Sequence, residues 1–265
     1  MKKRILLGIS IFSLGLFLAL TLLTLARPST AATAGRWQMQ ALLLFGLCHA
    51  AYTLGWRQAL VFFALSTGIS WAFEQVGVAT GLVYGEYHYS EMLGPKLGHV
   101  PLLVPIGWFM MMYPSYVIAN LIVNGRFYAT NRNIWRIIWL SFLGALVMTA
   151  WDVVMDPIFS GLGMWVWENG GAYFGVPIHN FAGWLATTFA VFLAYRLWER
   201  RVGVQPLGTV TPLIAALPLI AYASQMFRMF SIPDLGLIAF FAMGLPVFIA
   251  AGRLVDPPGA PRPNT

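Results

Sequence analysis

The segment Trp151–Trp184, WDVVMDPIFSGLGMWVWENGGAYFGVPIHNFAGW, begins at the end of one long apolar run and finishes at the start of the next. Between these runs it places two aspartates, a glutamate, a histidine and an asparagine among tryptophans, glycines and prolines. Most of the remaining chain is Leu, Ala, Ile, Val and Phe. A hydrocarbon environment tolerates polar side chains poorly, so their concentration here indicates a functional site.

Composition places the chain in a membrane. Its 265 residues are 59% hydrophobic and only 9% charged, whereas soluble domains are about one quarter charged. The single cysteine, Cys48, lies in an apolar run, which excludes a disulfide framework and a cysteine-based metal site. The net charge of +7 comes from basic residues in short loops between apolar runs. Such residues determine membrane topology, so no nucleic-acid partner is expected.

Eight apolar runs are long enough to cross a bilayer. We therefore predict an all-α fold, a polytopic transmembrane bundle of about seven or eight helices in a single integral membrane domain over residues 1–255. Residues 1–35 are expected to be a retained N-terminal anchor helix or, alternatively, a cleaved signal segment. Residues 256–265, rich in proline, are expected to be a disordered tail. The runs cover residues 5–26, 37–55, 59–80, 101–123, 134–156, 180–197, 208–227 and 235–252.

The distribution of basic residues indicates the orientation. With the N-terminus in the cytoplasm, twelve basic residues lie inside and four outside, which agrees with the positive-inside rule. We therefore predict a multi-pass protein of the cell (inner) membrane, with its candidate site in the outer half of the bilayer. The cytoplasmic set is Lys2, Lys3, Arg4, Arg57, Arg126, Arg132, Arg136, Arg196, Arg200, Arg201, Arg253 and Arg262, and the outer set is Arg27, Arg36, Lys96 and Arg228.

Three carboxylates are the candidate catalytic residues. Glu74 lies on a polar face of the third run, where it must be protonated, paired or directed at a cavity; a helix-packing hydrogen bond is the structural alternative. Asp152 and Asp156 are four residues apart and share a face, and Pro157 is expected to end their helix. Two neighbouring carboxylates in a poorly hydrated place cannot both ionise cheaply, so one is expected to keep a proton and act as a general acid. A capped helix end and a cation site are the alternatives.

Aromatic and polar residues accompany these carboxylates. Aromatic faces can stabilise a carbocation without capturing it, whereas an interfacial aromatic belt is the structural alternative. His179 is either a proton relay or a structural residue. Glu86 and His88 alternate as on a strand without a known metal-binding motif, so no metal site is predicted. The candidate substrate-binding residues are Trp108, Trp151, Trp165, Trp167, Trp184, Tyr84, Tyr87, Tyr173, Glu86, Glu168, Asn180 and His179.

Four motifs together resemble one known family, although each alone is weak. They are ExxGxxTGxxYGxYxY (Glu74–Tyr89), VPxxVPxxW (Val100–Trp108), DxxxDP (Asp152–Pro157) and GxYFGVPxxNFxGW (Gly171–Trp184). The family is the membrane-embedded carotenoid biosynthesis family, which includes the bacterial and archaeal carotenoid hydratases. The resemblance covers roughly residues 60–200.

The resemblance implies the addition of water to the terminal C=C bond of an acyclic ψ end group, giving a tertiary alcohol. The implied substrates are γ-carotene, lycopene or a C50 bacterioruberin precursor, without an organic cofactor. The implied partners are the carotenoid, water and the lipid bilayer, with other enzymes of the carotenoid pathway as candidate partners. No residue roles are taken from the family. On chemical grounds we expect Asp152 or Asp156 to be the acid, with the other aspartate or Glu74 orienting the water.

Three other functions fit part of the pattern. A carotenoid ψ-end cyclase uses the same protonation and the same cation, and the sequence does not separate it from a hydratase. An intramembrane prenyltransferase needs a second acidic motif to hold magnesium against diphosphate, and this sequence has none. A non-enzymatic carotenoid-binding or transport protein is the third. A retinal-type pigment is excluded because the only lysines, Lys2, Lys3 and Lys96, lie outside the predicted helices.

Overall fold

The computed structural model describes residues 2–128, 133–227 and 232–256. Within these ranges it contains eight helices, one at each predicted apolar run, which confirms the predicted all-α membrane bundle. Most of the predicted tail, residues 257–265, lies outside the described residues, as do Arg132, Arg228 and Arg262 of the orientation argument. The helices are α1 (Lys2–Ala26), α2 (Ala31–Leu54), α3 (Trp56–Thr80), α4 (Leu103–Asn124), α5 (Ile134–Gly161), α6 (Ile178–Val202), α7 (Pro212–Ser224) and α8 (Pro233–Val255).

Six of these helices are long and apolar enough to cross a membrane, namely α1, α3, α4, α5, α6 and α8. Helix α8 contains a π-helical turn at Phe240–Gly244. Helix α1 begins at Lys2, before the predicted run, so Lys2 and Lys3 form an exposed first helical turn. Helix α2 packs chiefly against α1, and Gln38 of α2 donates a hydrogen bond to Thr21 of α1 over 3.3 Å. The chain is therefore a multi-pass membrane protein.

Helix α4 is the central helix of the bundle. Every residue from 108 to 121 is buried, and the neighbours of α4 include α2, α3, α5, α7 and α8. A helix that is apolar on all sides is stable only when other helices or lipid surround it. Its interior proline, Pro114, does not interrupt it. These five helices thus pack around α4, and its two ends lie near two separate buried polar clusters.

Contacts between helix ends define two ends of the bundle. At one end, which is called the site end because the candidate carboxylates lie there, Gly183 of α6 lies against the chain just after α3. A Cβ added to Gly183 would stand 2.2 Å from the Val83 carbonyl oxygen. At the far end, Gln58 at the start of α3 donates to the Gly203 carbonyl just after α6 over 2.5 Å. Helices α3 and α6 are therefore antiparallel. That the site end faces the outside of the cell stays a prediction.

A buried polar cluster occupies the far end, and it corrects one expectation from the sequence. Arg196 does not lie in a solvent-facing loop but inside α6, where it is 3% exposed. Its Nη1 atom donates to Asn120 Oδ1 over 2.9 Å, and its guanidinium lies 4.5 Å from the centre of the Tyr116 ring. The Tyr116 hydroxyl donates to Glu199 Oε1 over 2.5 Å. These four residues form the far-end cluster, which joins α4 to α6.

The expectation that Pro157 ends α5 is wrong, because the helix continues to Gly161. The proline ring removes one backbone donor but keeps a helical φ. In an apolar environment the following residues satisfy their backbone groups best by remaining helical. Accordingly, the Leu162 amide donates to the Ile158 carbonyl over 2.9 Å, and Ser160 Oγ donates to the Asp156 carbonyl over 2.7 Å. Both aspartates therefore lie within the helix.

Two small antiparallel sheets, which the sequence does not predict, lie in the connections between helices. Strand β1 (Tyr87–Tyr89) pairs with β4 (Trp165–Trp167), and β2 (Lys96–Leu97) pairs with β3 (Val100–Pro101). Side chains alternate along a strand, so the β1–β4 sheet presents aromatic rings on one face only. That face covers the site end of the bundle, and His88 on the other face is exposed.

Candidate active site: a buried carboxylate cluster

The three predicted catalytic carboxylates meet at the site end of the bundle. Glu74 of α3 is 3% exposed, and Asp152 and Asp156 of α5 are 0% and 1% exposed. Glu74 interacts electrostatically with both aspartates. Among the residues that the structure describes, the two ion pairs are His88–Glu168 and Lys96–Glu91, so no cationic side chain is paired with these carboxylates. The three acids therefore rely on neutral hydrogen-bond donors.

Asn180 bridges the two aspartates. It lies in the first turn of α6, is 1% exposed, and its Nδ2 atom donates to Asp152 Oδ2 over 3.0 Å and to Asp156 Oδ2 over 2.6 Å. An amide nitrogen carries two hydrogens, so it can serve both carboxyl groups at once. The bridge fixes the two acids relative to each other and to α6.

The two aspartates differ in the donors that they accept. Asp156 Oδ1 accepts from the Trp165 indole over 2.6 Å, and the side chain of Trp167 also interacts with Asp156. Asp156 therefore accepts a hydrogen bond on each of its oxygens. Asp152 Oδ1 is buried without a hydrogen-bond partner. Asp156 thus has a donor on each of its oxygens, whereas Asp152 has one oxygen without a donor.

Tyrosines of the α3–α4 connection surround Glu74. The hydroxyls of Tyr87 and Tyr89 both donate to Glu74 Oε2, the latter over 2.7 Å, and Trp108 also interacts with this carboxyl group. Tyr84 forms a 2.8 Å hydrogen bond with Thr187 of α6. Burial raises the pKa of Tyr87 and Tyr89 well above the usual range, and the nearby Glu74 charge raises each pKa further. The phenols therefore keep their protons and act as donors.

Tryptophans form one wall of the cluster. The rings of Trp108 and Trp184 are stacked with centroids 3.9 Å apart, and Trp151 meets Trp184 edge-on at 6.0 Å. On the sheet side, Tyr87 lies 5.0 Å from Trp167 and Tyr89 lies 6.2 Å from Trp165. These rings exclude water, and they supply the negative π faces that attract a cation.

Three predicted site residues lie outside the cluster. Glu86, Glu168 and His179 are exposed. Glu86 Oε2 accepts from Asn169 over 3.0 Å, and Glu168 pairs with His88 over 2.5 Å on the outer side of the sheet. Within the described ranges, no group of three His, Cys, Asp or Glu side chains has the arrangement needed to hold a metal ion.

Two residues of the cluster are missing from the predicted set. Tyr89 bonds to Glu74, and Thr187 bonds to Tyr84. The signal for Tyr89 is its two-residue spacing from Tyr87, because a strand that turns one of them inward also turns the other inward. Thr187 is seven residues after Asn180 on α6, two helical turns along the same face.

Comparisons with known proteins point to the same region. A family model described as "Carotenoid biosynthesis protein" matches residues 30–255, which include the whole carboxylate cluster. The bisanhydrobacterioruberin hydratase of Haloarcula japonica is 33% identical over 150 residues, which cover 56% of this chain and 48% of that relative. The match thus spans about half of the relative's length. No solved structure gives a significant match. From the extent of the family match, the chain belongs to the carotenoid biosynthesis protein family.

Proposed function

We propose that the protein is a carotenoid hydratase that adds water across the terminal C=C bond of an acyclic ψ end group. Membership of the carotenoid biosynthesis family and the similarity to a protein named as a hydratase support this proposal. The observation that carries it is the unequal pair of aspartates. Asp152 keeps a free buried oxygen beside Asp156, whose two oxygens both accept donors.

This inequality between the two aspartates supports a proposal for their roles. Hydrogen bonds donated to a carboxyl group favour its ionised form, and like charges in a poorly hydrated site favour retention of a proton. Asp156 accepts from Asn180 and Trp165, and Glu74 accepts from two tyrosines. Asp152 accepts from Asn180 alone, so it is the member that holds the proton. Asp152 is then the general acid, and Asp156 and Glu74 are ionised partners.

The reaction follows from these roles. The π electrons of the terminal alkene form a C–H bond with the Asp152 proton at the less substituted carbon, leaving a tertiary cation at the other carbon. The tryptophan wall stabilises this cation without capturing it. A lone pair of water then forms the C–O bond, and the surplus proton returns to the carboxylate cluster. The product is a tertiary alcohol, and the enzyme is unchanged.

The tests of this proposal use bacterial hosts that accumulate lycopene, γ-carotene or a C50 precursor, with pigments measured by liquid chromatography and mass spectrometry. We expect a gain of one water per reacted end group in at least one host. A ring-containing isomer of unchanged mass, identified by its retention time, as the sole product in these hosts would instead establish a cyclase. Untouched pigment in all three hosts, with the protein present in the membrane, would refute the hydratase.

The prenyltransferase alternative finds no support at this site. Diphosphate chemistry needs magnesium and basic residues to balance the phosphate charge. In the described part of the chain, the carboxylate cluster has neither a metal-holding arrangement nor a paired cation.

A further inference from the structure

The loop between β4 and α6 contains an unusual turn. The Tyr173 amide donates to the Val176 carbonyl over 3.2 Å, and the Val176 amide donates back to the Tyr173 carbonyl over 2.8 Å. The two residues between them, Phe174 and Gly175, have positive φ angles of 49° and 85°. This is the geometry of a tight turn that normally takes Asn-Gly. Phe174 is the one non-glycine residue with positive φ in the described ranges.

A bulky aromatic residue adopts this backbone conformation only where the surrounding structure enforces it. Here Val176 is fully buried, and a Cβ at Gly171 would lie 2.0 Å from the Val176 carbonyl carbon, so only glycine fits beside it. Burial of Val176 and the close approach of Gly171 thereby hold the turn in place. Strained backbone of this kind concentrates at functional sites.

The residue that this turn orients is Tyr173. Its ring meets Phe174 edge-on at 4.9 Å and Phe181 of α6 edge-on at 5.2 Å. No hydrogen bond from its hydroxyl contributes to this orientation, because the Tyr173 hydroxyl is buried without a hydrogen-bond partner. The phenol is therefore directed by packing and backbone geometry alone.

The Tyr173 hydroxyl interacts electrostatically with Asp152. Burial raises the pKa of Tyr173, so the phenol stays protonated. Asp152 Oδ1 and the Trp151 indole nitrogen are likewise buried without partners. A buried water needs two to four polar neighbours, and Tyr173 and Asp152 can offer it a phenol donor and a carboxyl oxygen.

We propose that Tyr173, together with Asp152 Oδ1, holds the water that captures the substrate cation. This inference rests on the proposed hydratase function and adds the determinant of its product. A tertiary cation has two fates. Water can form the C–O bond and give the alcohol, or an adjacent methyl group can lose a proton, its C–H electrons forming a new C=C bond in an isomer of unchanged mass. A water held in place selects the first fate.

The experiment compares Tyr173→Phe with the wild type in the host in which the wild type forms the alcohol. We expect the ratio of alcohol to isomer to fall about fivefold, since the loss of one hydrogen bond to the water is worth about 1 kcal/mol. Membranes that contain the enzyme, incubated with unlabelled pigment in heavy water, give a second readout. The isomer should carry one deuterium, because protonation by Asp152 is unaffected and only the capture step fails.

Two further variants complete the test. Tyr52→Phe removes a phenol at the far end, where its hydroxyl donates to the Thr209 carbonyl over 3.3 Å, and should leave the ratio unchanged. Phe174→Gly relieves the strained turn and removes one contact of Tyr173, so it should shift the ratio in the same direction by a smaller factor. This second variant keeps the Tyr173 hydroxyl, so it also serves if Tyr173→Phe does not accumulate.

The outcomes separate the two claims. An unchanged ratio in both Tyr173→Phe and Phe174→Gly overturns the role of Tyr173 and leaves the hydratase proposal standing. Loss of both alcohol and deuterated isomer in Tyr173→Phe, with the protein still in the membrane, also overturns it, because Tyr173 would then be needed for protonation. A wild type that forms no alcohol from any of the three pigments overturns both claims.

Discussion

Helix α6 carries a buried polar cluster near each of its ends, and the two clusters differ in charge. Asn180 and Arg196 are 16 residues apart, roughly 24 Å of helix. The far-end cluster contains one cation, Arg196, and one anion, Glu199. The carboxylate cluster contains three acids and no paired cation. Both are buried to a similar degree, so burial alone does not distinguish them.

The difference teaches which buried charges indicate chemistry. A buried cation and anion that share neutral hydrogen-bond partners compensate each other, and removing one of them leaves an uncompensated charge. Such a cluster holds helices together. Like charges brought together without compensation raise the free energy of the folded state, and they persist where a reaction uses them. Five substitutions, two at the carboxylate cluster and three at the far-end cluster, sharpen this comparison.

Asp152→Asn is expected to have the largest effect on turnover. Removal of a general acid lowers rates by about 10²–10⁴-fold. The asparagine keeps an oxygen that can accept from Asn180, so the protein should remain folded. Turnover is measured as hydrated pigment per unit of protein in the membrane, and folding is measured by thermal unfolding in detergent. Wild-type turnover in this variant would remove Asp152 from the mechanism.

Arg196→Met is expected to have the largest effect on stability. Removing one member of a buried set of opposite charges typically costs about 3–5 kcal/mol, because Glu199 would remain as an uncompensated anion. The free energy of unfolding in detergent measures this loss, while turnover per folded protein should change little. The double variant Arg196→Met/Glu199→Met should recover most of the stability. A large loss of turnover in folded Arg196→Met would place the far-end cluster in the reaction.

The two asparagines give a matched and smaller comparison. Asn180→Ala removes the donor shared by Asp152 and Asp156, and Asn120→Ala removes the acceptor of Arg196. A hydrogen bond to a charged group contributes about 1.5–3 kcal/mol. We expect Asn180→Ala to lower turnover about 10–100-fold, corresponding to this energy, and Asn120→Ala to lower mainly the unfolding free energy. Equal effects of both variants on turnover would contradict the comparison.

The fold follows from the sequence to the extent that the hydrocarbon core selects it. Each apolar run became a helix, because a chain in lipid must satisfy its backbone groups internally. The prediction that α5 ends at Pro157 is wrong for the same reason, because an apolar environment favours continuation of the helix. The β1–β4 sheet was missed because three-residue strands are too short for a clear alternating pattern.

The sequence identifies the three carboxylates as candidates but does not predict their hydrogen-bond partners. Glu74, Asp152 and Asp156 are recognisable in the sequence because carboxylates are expensive inside apolar runs. Which of them accepts from Asn180, Trp165 or Tyr89 depends on contacts between distant segments. The same holds for Arg196, whose buried position depends on Asn120 and Tyr116 of α4. Such pairings are tertiary, and local patterns do not contain them.

The pairing of β1 with β4 has a consequence for biosynthesis. Glu74 and its tyrosines come from the part of the chain before α4, whereas both aspartates, Asn180 and Trp165 come from the part after it. A nascent chain inserted only as far as α4 therefore carries one acid and half of the sheet. The carboxylate cluster is completed late in synthesis, when the second half inserts and its strand pairs with the first. Two separately expressed halves, divided between α4 and α5, would each be inactive and would regain the site only by assembling within the membrane.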